Sequence, residues 1–579
     1  MSFLFPKCLL TLGLSNFWCS SLVIARIEKE KLNLPFRLGS VEDRCWAFLR
    51  ESGEIVLFEW KIYEIDANGA KVIIPGLEDI QRSSINKNTF TFTFKNYIGK
   101  SRLIIEDSHG KRREFPLIVL SEKFGKIAPE YWKVIDLSKI EDTKEREKAV
   151  EKLIERFNIL CQTLTDDITR ISSQLNFSIK SPTAFTVEES DEPMNEFFAY
   201  HYLRSNKERI IEAFETVLRK IKRKLVVEEE WLRPDKVDEI TPETILSIVQ
   251  RPEYLAPAGE GVLIAEYLNG YVPTKVLSFQ KYESFDTPEN RFAKYFLSLL
   301  IEWSERVLET FGESSKCNTK PIRELLEELE FIGSDPIWSD VGEMEMFPYT
   351  SQALLKGDGY RELLELYREF TAYVPFFGEL QKAIDNKDIA TLYEYWCFFK
   401  LVEEFGEILG KKRLELIITP AGELSEGGEV YVQFDNGWRL YYNKRLTPAK
   451  WSYSVTLRPD FSLFTGNPEQ KRTKLIGVFD AKFKLDVIDA DKFAEEDKKM
   501  EREPILQTWA RLEDIYKMHT YRDALNARFA VVLYPGKENM FFEVNHEKKE
   551  PWTLKDLISE ENVKMEGVGC LRFMPEVKK

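Results

Sequence analysis

Between residues 388 and 535 the apolar positions fall into a helix, two strands, a second helix and a further strand. The first segment, 388–405, is apolar nearly all round: Leu392, Tyr393, Tyr395, Trp396, Phe398 and Phe399 surround the lone carboxylate of Glu394. A helix of that kind is buried, and a buried carboxylate needs a partner or a metal. Residues 460–464 read as a short strand, Thr465-Gly466-Asn467-Pro468 as a turn, and 474–483 as a second strand. Alternation along that second strand puts Ile476, Val478, Asp480 and Lys482 on one side, and Leu475, Phe479, Ala481 and Phe483 on the other. Apolar residues on both faces mark a central strand. Residues 514–521 continue as a helix and 530–535 as another apolar strand, so the order from about 385 onward is that of an α/β domain.

The rest of the chain is patterned differently. Short β-like runs, Cys45–Phe48, Ile55–Tyr63, Val72–Pro75, Thr89–Phe94 and Ser101–Glu106, are punctuated by Gly, Asn and Asp, which predicts a compact β-rich domain over 1–125. Residues 140–175 switch to helical spacing, with Leu153, Phe157, Leu160, Cys161 and Leu164 recurring on one face. Residues 176–195 read as a loop. Helices are expected again at 196–232, 288–312, 320–331 and 358–375, with a long irregular connection at 250–275, making 126–380 a mainly helical region. The charge run at 489–503 reads as an exposed helix or mobile loop. The expected architecture is therefore α+β and multidomain: a β-rich N-terminal domain, a central helical region, and a C-terminal α/β domain over 381–579.

Composition narrows the chemistry. A 43% hydrophobic and 31% charged chain is that of a folded protein. Its seven cysteines are scattered without a Cys-x-x-Cys pair, and there are only four histidines. A structural zinc site or iron–sulfur cluster is thus disfavoured, and the cysteines fit reduced thiols in the cytoplasm. The first 25 residues, with Lys7 ahead of Cys8–Leu14, loosely resemble a secretory signal. Asn16 and several serines interrupt that run, which is short for a membrane span, and a buried N-terminal strand or an over-long start is the favoured reading. No other segment has the length and apolarity to cross a bilayer. The net charge of −15 argues against a surface coated for non-specific nucleic-acid binding, though not against a local basic groove. The basic cluster Arg219-Lys220 with Lys222-Arg223-Lys224 reads as a solvated face. Lys444-Arg445, just upstream of the paired strands, is better placed to meet a phosphate backbone. Gly99-Lys100-Ser101 lacks the first glycine of a phosphate-binding loop, since Phe94 stands there, so nucleotide hydrolysis by this chain is not expected.

The chemistry concentrates at 458–482. Asp460 opens one apolar strand, and Asp480 and Lys482 project together near the end of the next. Two carboxylates and an ammonium converging at a strand pair suit a divalent metal site that cuts phosphodiesters. The spelling alone is weak, because Asp-x-Lys recurs at Asp142–Lys144, Asp385–Lys387 and Asp497–Lys499. Only the 460–482 copy has both halves on strands. An ordinary ion pair at a strand end is the plain alternative.

With the flanking elements included, the order resembles the PD-(D/E)XK nuclease superfamily, and within it the McrC-like restriction nucleases. A helix glutamate (Glu394), Pro-Asp (Asp460), Asp-Ala-Lys (Asp480, Lys482), a Tyr516-Lys517-Met518-x-x-Tyr521 helix and a strand ending Leu533-Tyr534-Pro535 stand in the family's order. Lys517 occupies the place where the family usually has glutamine. Upstream, Asp286-Thr287-Pro288-Glu289-Asn290-Arg291 is similar to the stretch opening the helical region of these proteins, where Asn290 and Arg291 read as helix-capping and packing residues. The resemblance implies a restriction-endonuclease-like fold with a mixed sheet, and Mg²⁺, with Mn²⁺ as an alternative, held by Asp460, Asp480, Glu394 and the Ala481 carbonyl. It implies that Lys482 orients the attacking water; Lys517 and Tyr521 of the matching helix join Lys444 and Arg445, singled out by their position, as candidate DNA contacts. Double-stranded DNA and an McrB-like AAA+ GTPase are the implied partners in a restriction or phage-defence system. Two other classes stay open: a catalytically silent subunit that activates an AAA+ motor, and a DNA-repair or RNA-processing nuclease on the same fold.

Overall fold

The computed structural model describes residues 8–11, 37–40 and most of 46–576; beyond scattered short stretches, 83–88, 126–132, 180–194, 313–316, 411–414, 420–428 and 484–505 are not described. The charge run at 489–503 and most of the apolar N-terminal run lie outside the described residues. The chain divides into two compact units, one of residues 1–201, 314–318 and 372–579, the other of 202–313 and 319–371.

In the first unit the expected β-rich region forms two five-stranded sheets. One runs through Cys8–Thr11, Arg37–Ser40, Ile62–Asp66, Thr89–Thr93 and Gln81–Arg82, the other through Phe48–Leu49, Ile55–Phe58, Arg112–Leu120, Gly99–Glu106 and Lys71–Ile73. The Gly99-Lys100-Ser101 triplet opens a strand. Gly99 lies against the chain at 386–388, where a Cβ would come within 3.0 Å of the Lys387 carbonyl oxygen. Lys100 N donates to the Asn386 carbonyl at 2.5 Å, and Ile389 N to the Ile98 carbonyl at 3.0 Å. The triplet therefore fastens a sheet to the start of a helix.

Helix α1 (Thr143–Ser172) is capped by Asp142, whose side chain accepts from Glu145 N. It buries Leu153, Phe157, Leu160, Cys161 and Leu164, the face read from the sequence, and packs along α2 (Ile389–Leu409). Arg170 of α1 pairs with Glu403 of α2 at 2.8 Å. Helix α2 starts at Asp388, whose carboxylate accepts from Ala390 N and Thr391 N, and stops at Gly410. At φ +100°, and with Asp435 2.6 Å from where a Cβ would sit, that position admits only glycine. As its composition requires, α2 is buried nearly all round, with Glu407 exposed near its C-terminal end.

The last part of the chain builds one ten-stranded sheet. In chain order its strands are β1 (Asn176–Ile179), β2 (Glu415–Thr419), β3 (Glu429–Gln433), β4 (Arg439–Tyr442), β5 (Phe461–Phe464), β6 (Leu475–Ala481), β7 (Phe529–Tyr534), β8 (Met540–Glu543), β9 (Lys548–Lys549) and β10 (Gly567–Arg572). Across the sheet they lie in the order β1-β2-β3-β4-β5-β6-β7-β10-β8-β9. β6, β7 and β10 are parallel neighbours while β2 to β6 form an antiparallel meander, so the sheet is mixed. β6 and β7 are buried throughout because both faces are covered. Phe405 and Phe398 of α2 meet Phe479 and Phe461 at 5.7 and 6.0 Å between ring centres. On the other face Ile515, Met518 and Tyr521 of α3 (Leu506–Ala524) pack on Val478, Ala530 and Val532.

Three local expectations need correction. Strict alternation along 474–483 fails at one point: Leu463 pairs with Gly477 but Phe464 with Leu475, so Ile476 is an extra, bulged residue. The slip brings Leu475 into the same cluster as Val478, on the face opposite to the one expected. Downstream of the bulge, Val478 and Phe479 face the sides the sequence assigned. Residues 176–179, read as loop, form β1, paired parallel with β2. Residues 224–232, read as the end of a helix, form a strand paired over its whole length with Val276–Ser284, and here long-range pairing overrides local helical propensity.

The second unit holds most of the Glu196–Arg219 helix together with the Pro288–Phe311, Lys320–Gly333 and Tyr360–Phe370 helices. Its basic cluster is matched by acids: Arg219 with Glu215, Lys220 with Asp358, Arg223 with Glu283 and Lys224 with Asp286. Thr287 caps the Pro288–Phe311 helix. Asn290 is 0% exposed and donates to the Lys222 and Phe285 carbonyls at 2.9 and 2.6 Å, while Arg291 clamps Asp286 at 2.5 and 2.6 Å. These are the capping and packing roles read from the sequence. Among the described residues no helix is long and apolar enough to cross a membrane.

Candidate active site

The ladder between β5 and β6 sets the geometry. Phe461 lies opposite Phe479, so in an antiparallel pair Asp460 lies opposite Asp480. Asp460 turns one carboxylate oxygen, Oδ2, to accept from Ala481 N at 2.7 Å. Asp480 is 0% exposed and carries two ammonium partners. Lys482 Nζ, two residues on along the same face, lies 2.8 Å from Oδ2. Lys517 Nζ, reaching from α3, lies 3.0 Å from Oδ1 and 3.2 Å from Oδ2. The backbone under Lys482 is fixed by its N–H, which donates to the Leu533 carbonyl of β7 at 2.8 Å.

Glu394 approaches from α2. Its Oε1 accepts from Asn443 Nδ2 at 2.9 Å, and the Tyr442 hydroxyl also bonds to it. Asn443 sits just past β4 in the left-handed region, at φ 50°, a conformation asparagine tolerates better than most residues. From there its N–H donates to the Asp460 carbonyl at 2.7 Å, and its own carbonyl accepts from Arg458 Nε at 3.0 Å. Asn443 thus ties the glutamate of α2 to the aspartate of β5. The sequence reading missed it and Tyr442; the only local signal was an asparagine directly after a strand.

The electrostatics show an excess of negative charge. Burial pushes the Asp460 carboxyl well above the usual range, and Asp480 and Glu394 push it further; the Lys482 ammonium and the Ala481 N–H offset this only in part. Burial also raises Glu394, against the opposing pull of Tyr442, Asn443 and Lys482. For Lys482, burial favours the neutral amine, but Asp480 and Asp460 outweigh it and hold its pKa above the ordinary lysine value. Lys517 is raised on the same balance, burial opposed chiefly by Asp480.

Among the described residues no three His, Cys, Asp or Glu side chains are arranged to hold a metal ion as they stand. The carboxylates do not converge on one cation position as expected, because each is turned to a protein partner: Asp460 to Ala481, Glu394 to Tyr442 and Asn443, Asp480 to two lysines. The donor set nonetheless fits a hard divalent cation. It is all oxygen, and its raised carboxyls are what an added positive charge would relieve.

Of the expected DNA contacts, Lys444, Tyr521 and Lys517 are engaged or buried within the protein. Lys444 is engaged by Glu429, lies 4.6 Å over the Tyr441 ring, and has a side chain only 9% exposed. Arg445 is exposed. Tyr521 is buried in the cluster under α3, with its hydroxyl 3.4 Å from the Arg458 carbonyl, so it does not present a surface to DNA. Lys517, expected at a phosphate, is instead on Asp480.

The raised Asp460 gives a testable sign. The folded chain holds that proton more tightly than the unfolded chain, so stability falls as pH climbs from the ordinary carboxylate range through the raised pKa. Without metal, Asp460→Asn is expected to melt higher than wild type at about pH 8, by on the order of 1 kcal/mol, with the gap closing near pH 4. Thermal melts in a chelator check this; an Asn variant that melts lower at both pH values contradicts it.

Comparison with known proteins agrees with the geometry. A family model described as a domain of unknown function (DUF2357) matches residues 151–367, and one described as the PD-(D/E)XK nuclease superfamily matches residues 391–539. No curated protein matches the sequence. Among solved structures, a chain of the half-complex from a tetradecameric assembly of Thermococcus gammatolerans McrB AAA+ hexamers with bound McrC aligns over 83% of this chain and 87% of that one. The identity is 13% and the TM-score 0.20. Glu394, Asp460, Asp480, Lys482 and Lys517 all fall inside 391–539, the part of the chain that matches the PD-(D/E)XK nuclease superfamily.

Proposed function

We propose that the chain is the Mg²⁺-dependent DNA-cutting subunit of an McrBC-like restriction system, working in the cytoplasm with an McrB-like AAA+ GTPase. The observation that carries the nuclease reading is the buried Asp480 flanked by Lys482 on its own strand and by Asp460 across the ladder, inside a nuclease-superfamily segment. The partner reading is supported by the sequence alone: the Asp286–Arg291 stretch, the Tyr516–Tyr521 helix and the missing phosphate-binding loop. The division into a β-rich 1–125, a helical 126–380 and a nuclease 381–579 belongs to the same proposal. Location in the cytoplasm is supported by Cys161, Cys397 and Cys570, free thiols buried in the fold.

In this reading Asp460, Asp480, Glu394 and the Ala481 carbonyl would hold the cation, which when bound supplies Lewis-acid stabilisation of charge at the scissile phosphate. Ala481 N–H orients Asp460, and Asn443 with Tyr442 orients Glu394. Lys482, kept protonated by Asp480 and Asp460, acts as a donor: it holds the attacking water in line and offsets negative charge as it develops.

The test is cleavage of methylated and unmethylated double-stranded DNA, in Mg²⁺ or EDTA, with and without the GTPase. Weak Mg²⁺-dependent nicking by the chain alone, strongly stimulated by partner and GTP, is expected. Binding should weaken steeply as salt rises, since backbone phosphates provide most of the contact. GTPase activation with no cutting under any condition would replace this reading with that of a silent activating subunit.

A further inference from the structure

We propose that Lys517 is the resident counter-cation of Asp480 and competes directly with a divalent metal, so that this one lysine sets the metal affinity of the site. The inference rests on the nuclease reading and adds a residue that controls when the site is loaded. Lys517 Nζ straddles the Asp480 carboxylate, 3.0 Å from one oxygen and 3.2 Å from the other, the approach a cation would take. Lys482 Nζ already holds Oδ2 at 2.8 Å, and Asp480 is 0% exposed. A carboxylate enclosed this way has no open approach for a third positive charge, so one ammonium must leave.

The geometry points to Lys517 as the one that leaves. Lys482 directly follows β6, on backbone pinned by the Leu533 carbonyl, and its side chain is 28% exposed. Lys517 stands on α3 with a side chain 36% exposed, and its ammonium also lies 5.1 Å from the centre of the Tyr521 ring. That ring offers partial compensation once the carboxylate is released. The apparent affinity for metal is then the intrinsic affinity reduced by the fraction of molecules in which Lys517 has swung away.

The experiment is Mn²⁺ binding by calorimetry and by electron paramagnetic resonance, on the full chain, for wild type, Lys517→Gln, Lys517→Met and Asp480→Asn. Methionine keeps an unbranched apolar stem of similar length and removes the charge. Both Lys517 variants are expected to bind Mn²⁺ about tenfold tighter or more, and Asp480→Asn to lose binding. If both Lys517 variants bind no tighter than wild type while Asp480→Asn loses binding, the competition is overturned and the metal site stands. If Asp480→Asn binds Mn²⁺ as wild type does, the site assignment falls, and the competition with it.

Discussion

Lys482→Ala is expected to abolish Mg²⁺-dependent cleavage, by about a thousandfold or more, while leaving the fold and DNA binding nearly intact. The magnitude is that of deleting one preorganised donor where charge develops. The stability half follows from the second ammonium. Removing one partner of a buried ion pair ordinarily costs about 3–5 kcal/mol, because the other charge is stranded. Here Asp480 keeps Lys517 on both oxygens, so a much smaller loss is expected. Removing both lysines should be far worse than the sum of the single changes, since only then is a fully buried carboxylate left without an ammonium. Single-turnover cleavage and thermal melts of the two single variants and the double variant measure all of this. A Lys482→Ala enzyme cutting within about tenfold of wild type would sink the assignment.

Deleting residues 1–125 is expected to destroy the remainder of the first unit rather than release an independent nuclease. Read from sequence, the β-rich region looks separable. In the fold, the Phe124 ring meets Phe157 of α1 edge-on at 6.0 Å and Phe483, the residue after Lys482, at 6.1 Å between ring centres. Arg156 donates to the Phe124 and Gly125 carbonyls at 3.2 and 3.3 Å, and the Ile98 carbonyl receives the first N–H of α2. Losing a buried phenylalanine alone costs about 3–5 kcal/mol, a large part of the total stability of a typical domain. The 126–579 fragment should therefore aggregate or melt more than about 10 °C lower, and Phe124→Ala should reproduce part of that loss. A fragment that melts with the full chain and nicks DNA would show these contacts to be dispensable. Partner docking is better tested by surface substitutions than by truncation.

What was legible in the sequence is what local periodicity determines. The all-round apolarity of 388–405 gave the buried helix, and the apolar runs at 475–481 and 529–534 gave the two central strands. The two-residue spacing of Asp480 and Lys482 gave their shared face. The missing pieces depend on chain segments far apart. Residues 224–232 carry helix-like charge spacing and become a strand only because 276–284 pairs with them. Asn443 matters through a contact to residue 394, 49 positions away, and Lys517 through one to residue 480, 37 positions away. Lys444 looked available because nothing in its neighbourhood announced Glu429, 15 positions upstream.

The bulge at Ile476 has a consequence for how this chain tolerates change in length. Side chains on a strand keep a phase of two, so a residue gained or lost anywhere along an unbroken β6 would rotate everything beyond it to the other face. A phase slip already exists between the turn at 465–474 and the acid-bearing end. Length variation in that turn can be absorbed there and need not reach Asp480. From Gly477 onward there is no such slack: each residue is paired in step with β7, from Gly477 opposite Phe529 to Ala481 opposite Leu533. Deleting Ile476 should leave Asp480 and Lys482 facing α3, whereas deleting Val478 should turn both of them toward α2. For grafting or recombining this domain, the permissible joint lies on the N-terminal side of Gly477.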